Sequence, residues 1–138
     1  MKYTHTLLMI CLIMGCTNMI NEPLGRHPLD KSEVRKLTLD NGVKAYLLSN
    51  PDFNVSAASM VVEVGSLENP DNREGLAHFL EHMLFLGTKK YPDVDEYSTY
   101  LKTFGGYSNA YTAGDHTNYQ LQVLPDGFEG SLDRFAQF

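Results

Sequence analysis

The stretch GLAHFLEHMLFLGT, from Gly75 to Thr88, is apolar on nearly every side, yet His78, Glu81 and His82 stand in its middle. On a helix turning about 100° per residue, the two histidines lie one turn apart on the same face, about 40° from one another, with Glu81 within about 100° of both. Leu76, Phe79, Leu80, Met83, Leu84 and Phe85 take the remaining positions. The trio is therefore expected to be lodged in protein, where a polar group without a partner costs on the order of 1 to 3 kcal/mol. Two imidazoles at i and i+4 answer that cost by sharing one cation, with the carboxylate alongside. The alternative is a pair of core histidines satisfied by hydrogen bonds, one of them to Glu81.

Zinc is the ion that suits two neutral imidazoles and a carboxylate with a position open to water. It lowers the pKa of a bound water to about 7, and a Glu that is not itself a ligand can take the proton. The hydroxide so formed attacks a carbonyl. In this chemistry His78 and His82 are the ligands, and Glu81 is the general base and later the proton donor to a leaving amine.

The rest of the chain reads as an α+β fold. VRKLTL and VKAYLLSN flank an Asn-Gly turn, a hairpin signature. VSAASMVVEVG is apolar on both faces, as expected of a strand inside a sheet. Three helices are announced by an Asp standing three residues before a Glu: Asp71 and Glu74, Asp93 and Glu96, Asp126 and Glu129. The first should stop at Gly87 and the second, with Val94, Tyr97, Leu101 and Phe104 on one stripe, at Gly105-Gly106. The third, carrying Phe128, Leu132, Phe135 and Ala136, has no stop signal before Phe138. The run from Thr117 alternates, with Tyr119, Leu121 and Val123 on one face. Its partner from Tyr107 to Thr112 is short and polar, which suits the edge of a sheet.

With 138 residues, 43% of them apolar, the chain suits one modest domain with a core of its own. A formal charge of −6 and the lack of any basic run argue against nucleic acid, whose phosphates need clustered Lys and Arg. The first sixteen residues, MKYTHTLLMICLIMGC, carry Lys2 and then an apolar run too short for a bilayer of about 30 Å hydrocarbon, the pattern of an export signal. Its end, Leu12 to Cys16, resembles the lipobox of bacterial lipoproteins, in which the Cys becomes the lipidated first residue. Met14 departs from that box, which keeps plain signal cleavage open. Thr17, where Asp often retains lipoproteins at the inner membrane, points to the outer membrane. The expected location is therefore the bacterial periplasm, anchored to the outer membrane through Cys16. With Cys11 lost and Cys16 lipidated or terminal, no intrachain disulfide is expected. Residues 17–33, which hold two prolines and His27, read as a tether.

His78-Phe79-Leu80-Glu81-His82 has the form H-x-x-E-H, and in it the chain resembles the insulinase and pitrilysin metallopeptidases, whose inverted zinc motif this is. GSLENPDNREGLAHFLEHMLFLGTKKYP, SNAYTAGDHTNY and SLDRFAQF are similar to the insulin-degrading and pitrilysin branch, so the resemblance runs from Val34 to Phe138. It implies a partial metallopeptidase half-domain: a mixed or antiparallel sheet with helices packed on one face, repeated in a longer chain that closes a chamber around peptides. It also implies that the strand holding Asn109 and Ala110 binds substrate backbone as an added strand, and an exposed strand edge can pair with an extended peptide. Read without the resemblance, the two are residues of an ordinary solvated edge. His116 is not a ligand in the family pattern and reads as structural.

In the family the third zinc ligand is a Glu on a later helix, farther from the motif than this chain extends past His82. Glu96 and Glu129 are read as cap partners, not ligands. Residues 34–138 are thus expected to be the truncated N-terminal part of a Zn2+-dependent endopeptidase of peptides, inactive without the remainder of its domain and a C-terminal half. The alternative is a non-catalytic or truncated relative whose sheet edge binds a peptide or a partner.

Overall fold

A computed structural model describes residues 27–138. The signal segment with Cys16, and the tether as far as residue 26, lie outside the described residues. The chain divides into two units, Met1–Pro51 and Asp52–Phe138.

In the first unit β1 (Glu33–Thr38) and β2 (Lys44–Ser49) form an antiparallel hairpin, in register from Glu33 opposite Ser49 to Thr38 opposite Lys44. The Asn-Gly turn closes it as the sequence predicts. Gly42 takes φ +86°, a conformation that costs glycine little, and the Asn41 side chain accepts from the Val43 N–H at 3.1 Å.

The second unit is an antiparallel sheet of three strands in the order β3 (Ser56–Val62), β5 (Thr117–Val123), β4 (Tyr107–Thr112). Three helices lie on one of its faces: α1 (Leu76–Leu84), α2 (Glu96–Thr103) and α3 (Pro125–Phe135). Tyr119, Leu121 and Val123 of β5 alternate onto that face and form the core with Tyr97 and Leu101 of α2 and Phe135 of α3. Phe85 and Phe138 add rings to it, 5.3 Å apart and edge-on. β4 is an outer strand, as its polar sequence predicts. β3 is also outer, against the expectation that its apolar run marks an inner strand: Val61 and Val62 are exposed, and β5, with polar residues at every other position, takes the centre. The core is built on one face of the sheet only, so the centre demands an alternating strand.

The helix starts also differ from the expected capping boxes. Gly75, Asp95 and Leu124 precede the first turns, and none makes a side-chain cap bond. The start of α1 is capped from a distance: Asn69 Oδ1 accepts from the Ala77 N–H at 2.9 Å. Pro125 opens α3 where its missing N–H does no harm. Glu96, freed from a capping task, forks onto Arg134 of α3, whose guanidinium is stacked on the rings of Tyr91 and Tyr100 at 4.4 and 3.7 Å from their centroids. α2 stops as predicted: Gly105 takes φ +63°, and the N–H groups of Gly105 and Gly106 return to Lys102 O and Leu101 O, a Schellman ending. α3 does not run to the chain end. It closes at Phe135, and Phe138 folds back onto Tyr97, Tyr119 and Phe85.

Candidate metal centre

α1 meets the sheet through the stripe of Ala77, Glu81, Leu84 and Phe85, the i, i+4, i+7, i+8 positions of one helical face. Its only fully buried residue is Glu81, with 5% of its surface exposed. The expectation that the whole trio is lodged in protein is therefore corrected. His78 and His82 lie one step round the helix and face solvent, while Phe79 and Leu80 are 61% and 54% exposed. Of the six apolar neighbours named from the sequence, Leu84 and Phe85 pack on the core. A helix on one sheet face covers only one stripe, so the rest of an all-round apolar segment stays outside.

The two histidines are brought together. Their Nε2 atoms stand 3.1 Å apart and their ring centroids 4.6 Å, with the rings tilted by 51°. Two nitrogens bound at about 2.0–2.1 Å to one tetrahedral ion stand about 3.4 Å apart. The pair thus fits a shared zinc with little movement, and both rings are open to it. In the absence of an ion, one Nε2–H can donate to the other. Among the described residues no group of three or more His, Cys, Asp or Glu side chains is placed to hold a metal.

Glu81, on the same helix, meets β4. The Thr112 hydroxyl donates to Glu81 Oε2 at 2.5 Å. Thr112 faces Thr117 across the β4–β5 ladder, and Thr117 donates to Val64 O at 2.9 Å. Burial raises the pKa of the Tyr119 hydroxyl, and the Glu81 charge nearby raises it further. Neither threonine was singled out in the sequence; the even spacing Ser108, Ala110, Thr112 places Thr112 on the core face, but nothing local ties it to Glu81.

Asn109 and Ala110 sit in the middle of β4, opposite Gln120 and Tyr119. Asn109 is exposed on the face away from the helices, and Ala110 is half-buried on the core face. Within this sheet β4 is paired on one side, with β5. His116 bonds to Asp115 at 2.7 Å and meets the Tyr111 ring edge-on, at the loop that joins β4 to β5.

The sequence profile of the family described as Insulinase (Peptidase family M16) matches residues 44–138. The chain belongs to the insulinase family. Among insulinase relatives, the insulin-degrading enzyme of Mus musculus is 52% identical over 119 residues, covering 86% of this chain and 12% of that enzyme. The A-factor-processing enzyme of Saccharomyces cerevisiae is 48% identical over 110 residues, 80% of this chain and 11% of its own. The crystal structure of pitrilysin superposes with a TM-score of 0.78 at 42% identity, over 85% of this chain and 12% of that one. A protease from Helicobacter pylori superposes at 0.68 with 31% identity, over 76% and 25%. This chain thus spans about an eighth of the length of the curated insulinase relatives cited here.

Proposed function

We propose that this segment carries part of the active site of a zinc-dependent endopeptidase acting on peptides. The observation that carries the reading is the 3.1 Å approach of the two solvent-facing Nε2 atoms beside a buried carboxylate on the same helix turn. His78 and His82 hold the ion, and a third ligand comes from outside the described residues. Zinc bound there supplies the Lewis acidity that prepares water and a peptide carbonyl for reaction.

Glu81 handles the proton. It accepts one from the attacking water as the carbon–oxygen bond forms, and delivers it to the amide nitrogen as the carbon–nitrogen bond breaks. The open edge of β4, with Asn109 and Ala110 at its centre, receives the substrate backbone as an added strand. The full-length protein is exported through residues 1–16 to the bacterial periplasm and anchored to the outer membrane through Cys16.

The test uses the full-length protein, a quenched fluorescent peptide and a measurement of zinc per chain. Glu81→Gln is expected to lower turnover by about 10²- to 10⁴-fold with zinc content unchanged. Hydrolysis that survives both this change and a chelator overturns the proposal. A second reading, a module that binds peptide on the β4 edge without cutting it, rests on β4 being paired on one side only within its sheet. Peptide binding without turnover in the zinc-loaded wild type would establish it instead.

A further inference from the structure

We infer that Thr112 is a positioning residue for Glu81: its hydroxyl fixes the carboxylate so that Oε1 is the oxygen presented for proton exchange. The inference rests on the reading of Glu81 as the proton carrier, and it assigns a role to a strand residue 31 positions away from it.

Three observations meet here. Glu81 is the one fully buried residue of α1, and the Thr112 hydroxyl donates to its Oε2 at 2.5 Å. An ionised carboxylate only accepts, so a hydroxyl committed to donating is a complementary partner. Thr112 is itself held. It closes β4 opposite Thr117, whose own hydroxyl is engaged by Val64 O at 2.9 Å and stands 3.5 Å from that of Thr112. A β-branched side chain in a ladder has a restricted χ1, so the donor does not wander. Glu has three side-chain torsions, and a bond to one oxygen removes most of that freedom. The second oxygen then has a defined place on the turn that also carries His78 and His82.

A hydroxyl that only satisfied a buried charge would matter for folding and not for turnover per folded molecule. The two roles separate experimentally. In the full-length zinc-loaded protein, Thr112→Val keeps shape and strand preference but removes the donor. It is expected to lower kcat by about 10- to 100-fold, the scale of a misplaced catalytic group, with KM and zinc content within twofold of wild type. Thr112→Ser restores the hydroxyl and is expected to recover kcat to within about threefold.

Crystal structures of the metal-free proteins give an independent reading: Glu81 keeps its conformer in wild type and Thr112→Ser and leaves it in Thr112→Val. Thr112→Ala repeats both measurements should the valine variant fail to fold. An unchanged kcat in Thr112→Val, or a serine variant no better than valine, overturns the inference. If the wild type hydrolyses no peptide, the proposed function fails. The metal-free structures then decide alone, and a Glu81 conformer that is the same with and without the hydroxyl overturns the positioning role.

Discussion

A buried glutamate flanked by two exposed histidines inverts the arrangement that side-chain hydrophobicity leads one to expect on α1. The spacing of His78, Glu81 and His82 was legible because it is a property of one helix, fixed by a repeat of about 3.6 residues. What Glu81 touches was not, because Thr112 reaches it only through the packing of α1 on β4. Tyr97 shows the same limit. Its place on the apolar stripe of α2 is local information, but only the assembled core buries it at 6% exposure and pushes its pKa up to about 12. The folded state thus keeps the Tyr97 proton after the unfolded chain, with an ordinary pKa of about 10, has lost it. Tyr97 adds no pH dependence to stability below pH 10, and between about pH 10 and 12 its contribution falls by up to about 1.4 kcal/mol per pH unit. Urea unfolding of the wild type beside Tyr97→Phe should show a steeper decline over this range in the wild type than in the variant, where Tyr119, its pKa also raised, still titrates.

At the scale of elements, the existence of each α-helix and strand was legible, while the short 3-10 turn at Ser66–Glu68 and the way each α-helix begins were not. Asp71, Asp93 and Asp126 have the composition of caps, but Asp71 and Asp93 stand before the residues that precede α1 and α2, and Asp126 lies inside the first turn of α3, past the cap position. The tasks went instead to Asn69, to Pro125 and, for Glu96, to a fork with Arg134. These partners are set by where loops and helices meet, and so they leave little trace in a local window. The Asn69 bond to the Ala77 N–H satisfies one of the four donors that open α1. Its loss in Asn69→Ala should cost about 0.5–2 kcal/mol locally. The expected readout is faster amide exchange, by roughly tenfold, in peptides covering the first turn of α1, with α2 and α3 unchanged. Equal exchange in the variant and the wild type would show that the cap contributes nothing. The glycine stop at Gly105, by contrast, was readable because a left-handed residue after a helix needs glycine whatever packs around it.

For the whole molecule, the sequence announced an α+β unit with helices on one sheet face, and the fold has that form. Strand order was harder. The apolar run of β3 looked central, yet the centre fell to β5, because a sheet covered on one side rewards alternation over uniform hydrophobicity. The proposed export belongs to this scale too, since it is read from residues outside the described part of the chain. With lipidation at Cys16, Cys16→Ser is expected to move the full-length protein from the membrane fraction to the soluble one after cell breakage. Retention of the variant in membranes would refute the anchor.

Thr112 ends the strand whose middle holds Asn109 and Ala110, so one element both grips the carboxylate and offers its edge. Successive residues of a strand advance by about 3.4 Å, which sets Ala110 about 7 Å from Thr112 along β4. On the proposed reading the strand is a ruler with the proton acceptor fixed at its end mark. A peptide zipped along the edge can shift only in whole steps of its own backbone pairing, so the position of cleavage is quantised by the ladder.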